Sequence, residues 1–266
     1  MKNLLRILAI LVLLGTTLAL PAPIAYAEPS GTEQAVHQLV IGFETQQQLE
    51  PELVTALSLL WETSSGEELA ELAVNFVDTG GTIMFADLPA WTAPDGRLAE
   101  IVLGNIDRYS MFDPESSYGN MRVNSLLRGS PEAAAAVIAH EATHLHDQTT
   151  LGHDFLNTPT GCFKTEVNAF LTGMSVWSEL RVRPDLLSSL PSQKEREAVS
   201  ALEFQFAFYS DLVDELEPGA AQAQITKRIE ALYADQCLSV RRRPAIGTTL
   251  WSKAAFDATT LDRFDK

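Results

Sequence analysis

The five residues His140-Glu141-Ala142-Thr143-His144 constrain this chain more than any other segment does. Residues four apart on an α-helix lie about 40° from each other around the axis and one turn apart along it, so both imidazoles can bind one metal ion. Glu141 lies one step around the same face, where its carboxylate can act as a base on a water at the metal without being a ligand. The ion that this residue set favours is zinc.

The residues around this motif predict the helix that it needs. Ser130 is a typical N-cap, Pro131 suits the first helical position, and Glu132 places an acid where the helix dipole favours one. An alanine-rich run follows, and Gly152 is a suitable stop. The alternative is a buried helix whose histidines only form hydrogen bonds within a core.

The N-terminal segment has the features of a secretory signal peptide. Two basic residues precede an apolar stretch, and the small-x-small end predicts cleavage after Ala27. We therefore expect a secreted or extracytoplasmic protein that does not insert into a membrane after cleavage, although an uncleaved N-terminal anchor is an alternative. Residues 1–27 contain two basic and no acidic residues, so the remainder carries a formal charge of −18, which opposes binding to nucleic acid.

The only two cysteines are Cys162 and Cys237. In an exported protein an even pair of cysteines predicts one disulfide. Closing a loop of this length contributes about 4 kcal/mol to stability in the chain-entropy model.

Hydrophobic periodicity predicts an α+β fold that is mostly α-helical. Apolar residues at spacings of three and four predict helices within residues 28–80, one of them following Pro51 and another running from Glu67 to Val77. Three β-rich segments, 82–86, 98–103 and 121–126, then predict a small sheet that precedes the His140 helix. Long helices are expected near 163–182, 193–216 and 220–238, with the tail around Trp251 packing back.

These boundaries predict four regions of the chain. A signal peptide (1–27) and an N-terminal helical segment (28–80) precede a catalytic core (81–182), which contains the small sheet and the helices of His140 and Glu166. A C-terminal helical lobe with its tail (183–266) follows.

A catalytic zinc ion needs a third protein ligand, and Glu166 is the preferred residue. It lies on the first turns of the helix that follows the motif, and the small residues Ala169 and Gly173 on one face would let that helix approach closely. Asp147 would be too far along the helix of His140 to bind the same ion. His153 or Asp154 would be the next residue to consider.

The motif together with the downstream glutamate resembles the zincin metallopeptidases of the gluzincin type, over roughly residues 120–180. The resemblance implies one zinc ion per chain bound by His140, His144 and Glu166, with Glu141 as general base and a peptide or protein substrate held extended along an edge strand. One position departs from the family pattern, because many gluzincins carry an aspartate four residues after the ligand glutamate.

That position is Phe170 here, so support for the zinc histidines must come from elsewhere. Asp147 is the first choice for this role and Asn168 the second. Tyr109 and Tyr118 are possible oxyanion-stabilising residues. The expected function is a secreted zinc metallopeptidase; the alternative is a secreted zinc-binding protein of zincin fold without peptidase activity, with a structural or partner-binding role.

Overall fold

A computed structural model of the chain describes residues 49–92, 94, 96, 98–106, 119–181, 190–215, 218–238 and 248–253. For residues 99–100, 153, 207–215, 218–219 and 248–253 it describes the backbone only. The predicted signal peptide and residues 28–48 of the predicted N-terminal helical segment lie outside these ranges. Among the helices that are described, none combines the length and the apolarity that crossing a membrane requires.

Two helices come first in the described chain, α1 (Pro51–Trp61) and α2 (Glu67–Asp78). Proline stands at the start of α1, where its missing N–H costs nothing. Gly80 follows α2 with a φ of 99°, a conformation that suits glycine after a helix. Both helices bury one apolar stripe, as their sequence spacing predicts.

A small sheet follows, made of β1 (Thr82–Ala86), β2 (Ala90–Thr92), β3 (Leu98–Ile106) and β4 (Asn120–Asn124), and completed by β5 (Thr248–Lys253) from the C-terminal tail. The order is β1-β4-β3-β2, and β5 pairs with β3 as well. β1 and β4 are parallel, whereas β3 is antiparallel to β2, β4 and β5. The sequence predicted three of these strands; β2 and β5 were not predicted as strands.

The motif lies on α3 (Pro131–Leu151), which is the central helix of the described fold. The Ser130 hydroxyl accepts a hydrogen bond from the Ala133 N–H at 3.3 Å, so the predicted N-cap is confirmed. Every residue from Glu132 to Leu145 is buried, because α3 is covered by other helices on some sides and by the sheet on another. The alanine run fits this position because small side chains permit close packing on all sides.

The C-terminal region is helical, as predicted. It contains α4 (His153–Leu156), α5 (Pro159–Leu180), α6 (Gln193–Glu215), α7 (Pro218–Leu232) and α8 (Ala234–Leu238). The helix predicted near 220–238 is therefore two helices that are separated at Tyr233. The predicted disulfide is confirmed, since Cys162 of α5 is bonded to Cys237 of α8 with the two Cα atoms 5.4 Å apart.

The helix α5 packs closely on α3, and a glycine makes this possible. A Cβ atom added to Gly173 would lie 2.9 Å from the Phe206 ring, 3.2 Å from the Ala136 carbonyl oxygen and 3.5 Å from the Cβ of His140. The predicted close approach of the two helices is thus present. It brings the first turns of α5 beside the middle of α3, where the histidines of the motif lie.

Candidate metal centre

Three side chains from α3 and α5 converge at one point. The Nε2 atoms of His140 and His144 lie 3.3 Å apart. Each of them lies 3.8 Å from Oε2 of Glu166. His140 and Glu166 are fully buried and His144 is 4 % exposed, and together they form the one group of metal-ligating side chains found in the described part of the chain. The structure therefore brings the three sequence-predicted ligands together.

The spacing of these three atoms fits a single metal ion. The point in their plane that is equidistant from all three lies about 2.1 Å from each, which equals the usual Zn–N bond length and lies within the Zn–O range. Two nitrogens bound to one tetrahedral zinc ion are expected to lie about 3.3 Å apart, which is the separation that is found. The two nitrogen–oxygen separations of 3.8 Å are longer than this, so Oε2 of Glu166 would lie a few tenths of an ångström closer to the nitrogens in a tetrahedral site.

Burial places the imidazole of His140 in the form that a metal requires. Desolvation lowers the pKa of His140 from 6.5 to about 3, and an interaction with the Ala169 backbone opposes this shift only in part. The ring is therefore neutral at physiological pH. Neutral imidazole and ionised carboxylate are the protonation states that bind divalent ions, so the donor set matches the chemistry of a zinc site.

Each histidine ring is held by a neighbour from α5. His144 Nδ1 lies 2.9 Å from the Thr165 hydroxyl, and when Nδ1 donates this hydrogen bond the lone pair is on Nε2, towards the other two ligands. The ring of His140 packs edge-on against Phe170, with the ring centroids 5.1 Å apart. Phe170 therefore holds this ring by packing, in the position where many gluzincins have an aspartate.

The sequence predicted that Asp147 or Asn168 supports a zinc histidine, whereas in the structure these two side chains bond to each other. Both carboxylate oxygens of Asp147 accept hydrogen bonds from Nδ2 of Asn168, at 3.2 and 3.0 Å. These bonds join α3 to α5 and so stabilise the helix pair that carries the three candidate ligands. The side chain that contacts the His144 ring is that of Thr165. The only signal of this contact in the sequence is that Thr165 directly precedes Glu166.

The carboxylate of Glu141 lies close to β3 of the sheet. Its side chain is fully buried, and a Cβ atom added to Gly104 of β3 would lie 2.8 Å from Oε1 of Glu141 and 2.5 Å from Val137 Cγ1. Glycine is thus the residue that lets β3 approach the carboxylate. This contact was not predicted from the sequence, because it depends on which strand lies over the helix.

Other residues considered from the sequence do not join the cluster or lie outside the described residues. His146 is 40 % exposed and lies near Glu68 and Asp147, in agreement with a position away from the metal face. The side chain of His153 is outside the described part of the chain, and Asp154 is exposed. Tyr109 and Tyr118 lie in the segment 107–118, which is also outside it.

Comparison of the chain with known protein families, with curated proteins and with solved structures finds no match. The case for a function therefore rests on the chemistry and geometry of the centre itself.

Proposed function

We propose that this chain is a secreted zinc-dependent metallopeptidase, with one zinc ion bound by His140, His144 and Glu166 and with Glu141 as general base. The observation that carries the proposal is the convergence of two imidazole nitrogens and one carboxylate oxygen on a point about 2.1 Å from each. An HExxH sequence alone would not supply the third ligand. The buried glutamate from a separate helix does.

A bound zinc ion would supply Lewis acidity towards a water molecule and a peptide carbonyl. Glu141 follows the ligand His140 directly in the chain, and its carboxylate lies against β3. In the proposed reaction this carboxylate accepts a proton from the attacking water and delivers the proton to the amine of the departing peptide. Its full burial strengthens the electrostatic interactions on which such a base depends.

A peptide or protein is the proposed substrate, and nucleic acid is excluded from the proposal on the ground of charge. The chain carries a formal charge of −16, which repels phosphate backbones. The buried disulfide between Cys162 and Cys237 supports an oxidising compartment, in agreement with export.

One observation favours a second candidate function, a zinc-binding protein of zincin fold without peptidase activity. The three ligands and Glu141 are all at most 4 % exposed, whereas a catalytic zinc site keeps one position open for water and substrate. In this case the ion would join α3 to α5 and have a structural or partner-binding role. Hydrolysis separates the two candidates, because both bind one zinc ion.

The test is the hydrolysis of a mixed peptide library by the zinc-loaded protein, by the chelator-treated protein and by the variant Glu141→Gln. We expect chelation to abolish cleavage and added zinc to restore it. Glu141→Gln should keep about one zinc per chain but lose at least ~10²-fold in rate, because the carboxylate acts as a base and not as a ligand.

The matched control is Glu132→Gln, which changes another buried glutamate of the same helix and should leave cleavage intact. Loss of zinc from the Glu141 variant would contradict its role as a base. A wild-type protein that binds zinc and cleaves no peptide would favour the second candidate.

A further inference from the structure

A short helix on the C-terminal side of the metal centre reaches the third ligand. This helix, α8, is joined to α5 by the bond between Cys162 and Cys237. Cys162 lies four residues before Glu166, which is about one helical turn, and Gln236 is the neighbour of Cys237 in the chain. The disulfide therefore fixes Gln236 beside the ligand carboxylate.

The two oxygens of the Glu166 carboxylate have different surroundings. Nε2 of Gln236 donates a hydrogen bond to Oε1 at 3.2 Å. Oε2 lies 3.8 Å from Nε2 of each histidine. An ionised carboxylate only accepts hydrogen bonds, so the amide NH₂ is the end of the glutamine side chain that fits here. One oxygen is thus held by Gln236, while the other is directed to the metal position.

The segment that carries Gln236 is anchored on both sides of that residue. Tyr233 is buried, and its ring lies against Phe170 with the centroids 5.8 Å apart, while Cys237 is fully buried in the disulfide. Between these two anchors Gln236 is half-buried, whereas Leu238, which follows Cys237, is 63 % exposed. A helix of five residues is too short to be stable by itself, so its position depends on these anchors.

We propose that Gln236 is a positioning residue of the metal centre, which holds the Glu166 carboxylate with Oε2 towards the two histidines, and that the Cys162–Cys237 disulfide keeps Gln236 in place. This inference rests on the metal-binding part of the proposed function and does not depend on peptide hydrolysis. Its consequence is that zinc affinity depends on a C-terminal segment that supplies no ligand. Residues that orient a metal ligand typically contribute 10- to 100-fold in affinity.

The experiment measures the zinc affinity of the full-length protein by competition with a chromophoric chelator, and records the absorption spectrum of the cobalt-substituted form. Gln236→Met keeps the length of the side chain and removes the donor. Gln222→Met makes the same change at an exposed position of α7 and serves as the control. The melting temperature of the metal-free protein is recorded for each variant, because a purely structural role would lower it.

We expect Gln236→Met to bind zinc about 10- to 100-fold more weakly, with an altered cobalt spectrum and an unchanged melting temperature without metal. The control should match the wild-type protein in all three measurements. Wild-type zinc affinity in Gln236→Met would overturn the proposal. An equal loss of affinity in the two variants would also overturn it.

The disulfide is tested by the double substitution Cys162→Ala and Cys237→Ala, alone and with Gln236→Met. Because both changes act through one contact, the combined loss of affinity should be smaller than the product of the separate losses. A combined loss that equals the product would overturn the role of the disulfide. If the double variant does not fold, reduction of the folded wild-type protein with a phosphine gives the same comparison.

These outcomes separate this inference from the proposed function. A wild-type protein that binds zinc but does not cleave peptides would refute the proposed peptidase activity. The comparison of zinc affinities between the wild-type protein and Gln236→Met would still test the role of Gln236. A wild-type protein that binds no zinc would refute both.

Discussion

The contact between β3 and Glu141 makes Gly104→Ala the sharpest test of how this proposed general base is held. The added Cβ atom would lie 2.5 Å from Val137 Cγ1 and 2.8 Å from Oε1 of Glu141, whereas carbon atoms in contact prefer about 3.5–4.0 Å. The methyl group therefore overlaps its neighbours by about 1 Å. Either β3 moves away from α3, or the two side chains move.

Overpacking of this kind costs about 1–3 kcal/mol, while replacing glycine by alanine reduces the entropy of the unfolded chain and returns about 0.4–1 kcal/mol. With both terms at the middle of their ranges, the variant should be destabilised by about 1.3 kcal/mol, or about 3–5 °C in melting temperature. Displacement of a catalytic group by about 1 Å costs up to ~10²-fold in rate. The three atoms nearest to the added methyl group belong to Val137, Glu141 and Arg122 and not to the proposed ligands, so zinc affinity should be unchanged.

The assay compares peptide cleavage, zinc content and thermal unfolding of Gly104→Ala with those of Gly129→Ala. A Cβ atom at Gly129 meets no atom closer than 3.2 Å, the end of the Leu190 side chain, so this control should resemble the wild-type protein. Normal stability together with normal cleavage in Gly104→Ala would refute the close packing of Glu141 against β3. A loss of zinc would instead refute the separation between the base and the ligands.

Three further predictions concern the surroundings of the ligands. Thr165→Val keeps the shape of the side chain but removes the hydroxyl that contacts His144 Nδ1, so zinc affinity measured by chelator competition should fall about 10- to 100-fold. An unchanged affinity would contradict the role of Thr165 in orienting the His144 ring. Asp147→Ala removes the contact with Asn168, so the free energy of unfolding measured by urea titration should fall by about 1–3 kcal/mol. Zinc affinity measured by metal competition should be nearly unchanged. In the metal-free protein burial lowers the pKa of His140 to about 3, below its value of 6.5 in the unfolded chain. Between these two pH values only the unfolded chain binds a proton at this histidine, so the free energy of unfolding should fall by up to about 1.4 kcal/mol per pH unit as the pH drops from 6.5. Urea titrations of chelated protein at pH 7, 6 and 5 check this, and a stability that rises on acidification would contradict it.

The parts of the fold that the sequence predicted depend on local signals. Ser130, Pro131 and Gly152 set the ends of α3 through their own backbone preferences. The alternation of buried and exposed residues in β1 likewise follows from its own side chains. The place of Glu166 beside the two histidines could be predicted because a catalytic metal site would need a third ligand and the next helix offers an acid with small residues beside it.

The parts that were missed depend on contacts between distant segments. The three residues of β2 are all exposed and have no alternation, so only pairing with β3 makes them a strand. The break at Tyr233 has no glycine or proline to signal it, and it lies where the tyrosine ring is buried against Phe170. Gln236 contacts Glu166 because α8 packs beside α5, and Gly104 lies against Glu141 because β3 packs on α3. No local sequence pattern encodes either packing.

The place of β5 in the sheet has a consequence for the order in which the chain is synthesised. β3 is made about 140 residues before β5, its antiparallel neighbour. Until then one edge of β3 is unpaired and open to association with other chains. Gln236 and Cys237 also follow the motif by about 90 residues, so a nascent chain that already carries His140, Glu141 and His144 lacks both of them. Tight zinc binding is therefore expected only after the segment that contains Gln236 and Cys237 has left the ribosome.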